Sequence, residues 1–265
     1  MKQKVRISFF LVGVLFSSVH IHAQNQTRSG TASAKTNSLS GKIMIVPFEP
    51  KLYMSEIDKK VNEQTKWNFN QIRENFRHQL DIQLQQKFKS HATVISFYKD
   101  STKMAKDLSY LYSATRHSYD LIDKPSTAAT KKETLKGIKN GQVEVEMNED
   151  KRFFNAIVDD SDVLAYFNKK YNTEYFVFIN QLDIKNDPSS YNITTASYQR
   201  KVDIHYTIVD KNNNLVAAGI ASSNFSSKEN NPKKIVELSF APVAKLIADK
   251  FIATITPVTA APKKQ

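Results

Sequence analysis

Three carboxylates, Glu49, Glu56 and Asp58, lie close together in the run KIMIVPFEPKLYMSEID at residues 42 to 58. Carboxylates that converge on one substrate can act as general acid and base or activate a water, the chemistry of a hydrolase or a metal-dependent enzyme. They follow an apolar strand candidate, and ligands of α/β folds commonly sit beyond the C-terminal ends of strands. Asp183 is a further group that such a site could recruit. The same run has a structural reading. Pro47 and Pro50 end the strand by denying it amide donors. Ser55 then stands as a helix N-cap, with Asp58 three positions on in a near match to a capping box. Glu56 and Asp58 would sit in a first helical turn, where the helix dipole favours negative charge. Capping is the preferred reading and the carboxylate site is its alternative.

The other reactive groups form no familiar constellation. Asp159-Asp160-Ser161-Asp162 lacks the interleaved spacing and glycine of a calcium loop and directly precedes a helical pattern, so Asp160 or Ser161 is expected to cap it. His78, His91, His117 and His205 show no metal-ligand spacing. His78 falls off the apolar stripe of its helix and His205 on the polar face of its strand, so both are expected to be exposed. With no closely spaced glycines there is no phosphate cradle, and no G-x-S-x-G elbow occurs. The chain has no cysteine, which removes disulfides, thiolate zinc sites and thiol nucleophiles. No catalytic residue, cofactor or metal is therefore assigned. Aromatic and basic residues do interleave at Tyr110, Tyr112, Arg116, His117 and Tyr119, a pattern that suits an acidic or sugar-bearing partner. Asn25, Asn192 and Asn224 fit a glycosylation sequon by chance.

The elements that must position these groups begin with an address. Lys2, Lys4 and Arg6 precede the apolar run from Ile7 to Val19, and Ile21-His22-Ala23 completes a signal peptide over residues 1–23. That run is short of the roughly 20 residues that span a bilayer. No later run is longer, so no integral membrane segment is expected after cleavage. Residues 24–41 read as a disordered leader, 256–265 as a flexible tail, and 42–255 as a single domain. The formal charge of +12 includes three residues lost with the signal. In an exported chain such a balance points to an envelope protein or an anionic surface, and nucleic acid is not expected as a partner.

Lys42 to Phe48 reads as a buried strand. Ile72, Phe76, Leu80, Leu84 and Phe88 then recur every fourth position as one helical stripe, with Trp67 and Phe69 stapling its start. His91 to Tyr98 is a second strand. Met104, Leu108, Leu111, Thr115, Tyr119 and Ile122 suggest a second helix over about 101–122, opening a helical, basic insertion at about 99–141 that carries Lys131, Lys132 and Lys136. A short strand at Val143 to Met147, a helix over Ser161 to Tyr171 and a central strand at Tyr175 to Ile179 follow. Val202 to Ile208 and Leu215 to Ala221 form a hairpin about the turn DKNNN, with Val202, Ile204, Tyr206 and Ile208 buried and the alternate face wet. A last helix, about 233–255, buries Ile235, Leu238, Val243, Leu246, Ile247 and Phe251 and is kinked by Pro242. The order gives an α/β (α+β) fold, a mixed, partly antiparallel sheet of about five strands packed by helices, with the helical insertion.

The runs IMIVPFE, NTEYFVFINQLDI and VDIHYTIVDKNNNLVAAG resemble the small α/β domain of the TolB N-terminal family and of the curli-secretion lipoprotein family of Gram-negative envelopes. FEPKLYMSEID, FVFINQLDIKND and FSSKENNPKKI are similar to a group of uncharacterised exported proteins of Gram-negative bacteria. The likeness implies an exported protein that is periplasmic or outer-membrane associated, with secretion as the alternative. It implies no pore, since the chain lacks a lipidated cysteine and the stretch from Val143 to Val158 is short and charged. The expected role is non-catalytic: binding or assembling an envelope partner through Lys131, Lys132, Lys136, Arg116 and Tyr110. The alternative is an exported hydrolase or metal-dependent enzyme built on Glu49, Glu56 and Asp58.

Overall fold

The computed structural model describes residues 41–98, 101–121, 138–139, 142–143 and 152–256. The expected signal peptide, nearly all of the leader, the Lys131, Lys132 and Lys136 cluster, and the tail from 257 lie outside them. In chain order the elements are β1 (Lys42–Val46), a 3-10 turn (Pro50–Leu52), β2 (Tyr53–Ser55), α1 (Asp58–Thr65), α2 (Phe69–Phe88) and β3 (Val94–Ser96). There follow α3 (Ser101–Ser113), β4 (Thr115–Leu121), the two-residue strands β5 (Ile138–Lys139) and β6 (Gln142–Val143), β7 (Arg152–Val158) and α4 (Ser161–Tyr171). The chain closes with β8 (Thr173–Asn192), β9 (Ser197–Asp210), β10 (Leu215–Ser226), α5 (Pro232–Ile235), a π-helical turn (Val236–Phe240) and α6 (Ala241–Ile255). No helix among the described residues is long and apolar enough to cross a membrane.

A mixed six-stranded sheet runs in the order β10-β9-β8-β1-β3, with β2 also on β8. β1 lies parallel to the first half of β8, from Ile43 opposite Tyr175 to Val46 opposite Phe178. β2 lies parallel to its second half, Tyr53 opposite Leu182 and Ser55 opposite Ile184. Residues 47–52 are thus an excursion between two pairings with one strand. Pro47 and Pro50 lack amide hydrogens and leave the sheet here, and α2 and α3 take up the freed carbonyls. Arg77 Nε donates to Phe48 O at 2.8 Å, and the Tyr112 hydroxyl donates to Pro47 O. The N-cap expected at Ser55 is corrected: Ser55 ends β2, and Ile57 precedes α1 with no side-chain cap. The Ser55 hydroxyl accepts the Ile57 N–H instead, at 3.3 Å.

The apolar run of β1 reflects cover on both faces. Ile43 and Ile45 enter one core with Ile72, Phe76, Leu80, Leu84 and Phe88 of α2 and Val243, Ile247 and Phe251 of α6. Met44 and Val46 enter a second core with Leu111, Val163, Leu164 and Phe167 of α3 and α4. The α2 stripe is buried as expected, and a full capping box starts the helix: Asn68 Oδ1 accepts from Gln71 N at 3.0 Å and Gln71 Oε1 from Asn68 N at 2.8 Å. Asp160 caps α4 by accepting the Asp162 N–H at 2.9 Å.

Inside α2, Asp81 is 2% exposed. The Ser96 hydroxyl donates to its Oδ1 at 2.7 Å and Gln85 Nε2 to its Oδ2 at 2.6 Å. Burial pushes this carboxyl above its ordinary value against those two donors. Ser96 also accepts the Tyr98 N–H at 3.0 Å, so one hydroxyl ties α2 to the end of β3. Ser96→Ala should cost about 1–3 kcal/mol, the penalty for leaving buried polar groups unpaired. Urea denaturation measures it.

Expectations for two helices are corrected. The helix from 101 ends at Ser113, and Thr115 to Leu121 is a strand, paired antiparallel with β7 from Thr115 opposite Val158 to Leu121 opposite Arg152. Thr115 and Tyr119 continue the four-residue spacing of α3, but both also suit a strand, and β7 supplies the pairing. Tyr119 is 60% exposed rather than part of a buried stripe. In the last helix, Leu238 and Leu246 are exposed, while Val236, Phe240 and Ala244 are buried. The irregularity assigned to Pro242 takes the form of the π-helical turn just before it. Such a turn bonds i to i+5 and rotates the buried face.

Candidate functional site

The groups singled out around Pro47 sit on separate elements, each with a partner of its own. Glu49, just before the 3-10 turn, pairs with Lys51 at 2.8 Å. Glu56 follows β2 and accepts the Asn186 N–H at 2.7 Å, which extends the hold of β2 on β8. Asp58 opens α1 and accepts the Tyr53 hydroxyl at 2.6 Å. Burial raises the Asp58 carboxyl, and the hydrogen bonds from Ser55 and Tyr53 oppose it. Burial, with Asp58 beside it, also raises the Tyr53 phenol. The fourth group, Asp183, stands on β8 opposite Met54 of β2.

Asp183 belongs to a polar cluster on the second face of the sheet. β8 runs far past the Tyr175 to Ile179 segment, and a β-bulge at Asn180 breaks its alternation, since Ile179 opposes Tyr206 while Gln181 opposes His205. After the bulge Leu182 and Ile184 fill the α2–α6 core, and Gln181, Asp183 and Lys185 take the other face. Across the ladder stand His205, Asp203 and Lys201 of β9, and beyond them Ile220, Ser222 and Asn224 of β10. Two aspartates therefore face each other directly, which is destabilising unless neighbours compensate. Gln181 Nε2 donates to Asp183 Oδ1 at 2.6 Å, and Lys185 Nζ stands 3.2 Å from Asp183 Oδ2. Asp203 is held by Lys201 Nζ at 3.1 Å and by the Ser222 hydroxyl.

The expectation that this face of β9 is wet is corrected. β7 crosses it, and His205 is only 6% exposed. The Phe154 N–H donates to His205 Nδ1 at 2.8 Å, which places the ring hydrogen of the neutral imidazole on Nε2, 3.9 Å from Asp183 Oδ2. Burial lowers the basicity of His205, while Asp183 and Asp203 pull the other way. One step along, the Thr207 hydroxyl donates to Asn155 Oδ1 at 2.7 Å and accepts from Asn180 Nδ2 at 2.8 Å and the Ala156 N–H at 3.2 Å. Asn180 Nδ2 also donates to Phe154 O at 2.7 Å. The bulge thus aims its extra side chain at β7, a common use of such irregularities. The cluster stitches the β4–β7 ribbon onto the sheet.

Two of the remaining histidines, His78 and His117, stack. His78 lies on Tyr98, with ring centroids 4.8 Å apart, and His117 of β4 on Phe154 at 5.0 Å. Of the expected partner-binding residues, Arg116 forms a two-oxygen ion pair with Asp159, at 2.9 and 2.7 Å. Tyr110 is 47% exposed on α3 and meets Tyr166 of α4 edge to face at 6.1 Å. Sequence reading passed over Tyr166, which is 43% exposed, and Lys170, whose ammonium lies 5.3 Å from the Tyr166 ring and 5.5 Å from the Tyr171 ring. Their four-residue spacing on α4 was the available signal. Asp107 of α3 fixes Lys170 at 2.7 Å and accepts the Tyr171 hydroxyl, so the two helices share one aromatic and cationic surface.

No protein family and no curated protein matches this chain. Among solved structures, a lipoprotein from Neisseria meningitidis is 12% identical, with a TM-score of 0.36 over 79% of this chain and 99% of its own. A hypothetical protein from Chlamydia trachomatis is 9% identical, with a TM-score of 0.39 over 80% of this chain and 98% of its own. Overlaps this loose leave the function to be argued from the chain's own residues.

Proposed function

We propose that this chain is an exported, non-catalytic protein of the bacterial envelope that binds or helps assemble a periplasmic or outer-membrane partner. The observation that carries the reading is the surface shared by α3 and α4, where exposed Tyr110 and Tyr166 flank Lys170. Tyrosines combine contact area with low conformational cost, and a cation held over their rings is attracted by the ring quadrupole. Such residues are favoured anchors of protein interfaces. The N-terminal export pattern and the resemblance to envelope families support the address. The insertion that begins at α3 leads to Lys131, Lys132 and Lys136, which extend the basic character toward an acidic partner. Arg116 anchors the start of β4 to Asp159 and gives the ribbon a fixed base.

Reversing charge at Lys131, Lys132 and Lys136 together should weaken partner capture and its salt dependence while thermal unfolding stays unchanged. Pull-down from solubilised envelopes at low and high salt reads the first, and a melting curve the second. Unchanged capture would remove the insertion from the interface.

A further inference from the structure

An open groove of about 380 Å³ runs beside α2, lined by Trp67, Gln71, Glu74, Asn75, His78 and Tyr98. Its volume lies within the roughly 300–1,000 Å³ of small-ligand sites. Four of these residues are spaced i, i+3, i+4 and i+7 on the helix and so share one flank. At 1.5 Å per residue they cover about 10 Å, enough for more than one sugar ring.

Both ends of the groove are fixed before any ligand arrives. Lys66 adopts a left-handed conformation with φ of 64°, Trp67 N donates to Thr65 Oγ1 at 3.1 Å, and Asn62 Nδ2 donates to Trp67 O at 2.7 Å. At the other end the Tyr98 ring is held by the His78 stack and by the Arg77 guanidinium, 5.1 Å from its centroid. Between them, the Asn75 side chain makes no hydrogen bond among the described residues, and Gln71 spends its oxygen on the cap but keeps its amide hydrogens. Glu74 already pairs with Arg73 at 3.3 Å and Arg77 at 3.5 Å.

We propose that this groove binds a neutral saccharide. A sugar ring offers an apolar C–H face to the face of an aromatic ring and hydroxyls to amide and carboxylate groups, and the lining supplies both, Trp67 the first and Gln71, Asn75 and Glu74 the second. An anionic ligand would meet the Glu74 carboxylate, whose neighbouring guanidiniums, Arg73 and Arg77, are already paired with it, and a wholly apolar ligand would strand the amides of Gln71 and Asn75 without partners.

The chain has a single tryptophan, and it is Trp67, so intrinsic fluorescence reports directly on the groove. The test is titration of the full chain with maltotetraose, cellotetraose, chitotetraose and mannotetraose, with a hyaluronan tetrasaccharide as the acidic control. A saturable change in Trp67 emission with at least one neutral sugar is expected, weakened about tenfold or more by Asn75→Ala and by His78→Ala. Both positions lie off the buried stripe, so melting curves of the two variants should match the parent. No saturable change with any neutral sugar would overturn the proposal. So would binding that survives both substitutions, or binding of the acidic sugar alone, which would point to a basic surface instead.

Discussion

Replacing Phe76 with alanine lowers the stability of the fold by about 3–5 kcal/mol, the range for emptying a buried aromatic site. Phe76 is fully buried at the middle of the α2 stripe. Its ring lies 5.4 Å from Phe240, edge to face, and 6.4 Å from Tyr53. It therefore joins three segments that are far apart in sequence: α2, the turn before α6, and β2 as it rejoins β8. The hole cannot close by moving one helix, because α2 is also held by its capping box, by Asp81 and by the Arg77 bond to Phe48 O. For a domain of this size the loss corresponds to a melting temperature lower by roughly 6–20 °C. Phe76→Leu, which keeps most of the volume, should recover more than half of the loss. Chemical denaturation of both variants decides it, and a loss below about 1 kcal/mol for the alanine variant would contradict a single core shared by these segments.

Acidification loosens the β4–β7 ribbon through His205. The Phe154 N–H needs a lone pair on Nδ1, and a proton there sets donor against donor. Because burial holds the folded basicity of His205 below that of the unfolded chain, the unfolded state takes up the proton first. The contribution is fully present above the unfolded value of about 6.5 and declines as pH falls below it toward the folded value. Protonated His205 would face Asp183 and Lys185 on β8 and Asp203 and Lys201 on β9, so the aspartates limit the effect and the lysines enlarge it. His117, stacked on Phe154, is lowered mainly by its own burial and acts in the same sense. Asp81 and Asp58, whose carboxyls burial raises, act in the opposite sense: they favour the fold below 3.8 and lose that contribution as pH rises through their folded values.

The variant that isolates His205 is His205→Asn, which can still offer an acceptor but does not titrate. Hydrogen exchange at Phe154 and Ala156 should accelerate between about pH 7.5 and 5 in the parent, after correction for the intrinsic rate, and much less in the variant. His205→Leu should lose about 1–3 kcal/mol at neutral pH, since the Phe154 amide is left buried and unpaired. Equal pH dependence in the parent and His205→Asn would assign the effect to other groups.

These two sites also mark how far the sequence was readable. The α2 stripe could be seen because one helix carries its whole pattern at one period, and the unbroken apolar run of β1 announced cover on both faces. The DKNNN turn was equally plain: Asp210 Oδ1 accepts the Asn212 and Asn214 amides at 2.9 and 2.8 Å, and Asn213 takes the left-handed conformation with φ of 64°. His205 was misread because its neighbours alternate like a strand with one wet face. Its cover comes from Phe154, 51 positions away, and local periodicity carries no trace of that contact. The extension of β8 was hidden similarly, because the bulge at Asn180 reverses the alternation. The carboxylates after Pro47 were visible as residues, but their separate partners, Lys51, the Asn186 amide and Tyr53, depend on where the excursion returns to the sheet. Tyr110 was legible as an exposed aromatic, whereas its pairing with Tyr166 and Lys170 required α3 and α4 to be packed together.

Whether the chain holds an envelope partner on the α3–α4 surface is decided by in-cell photo-crosslinking from position 110, with position 250 on α6 as control, followed by envelope fractionation and mass spectrometry. A discrete adduct with one envelope component is expected from position 110, and none from 250, with the protein fractionating alongside that component. A free monomer in the soluble periplasmic or secreted fraction, with no adduct from position 110, would contradict binding there.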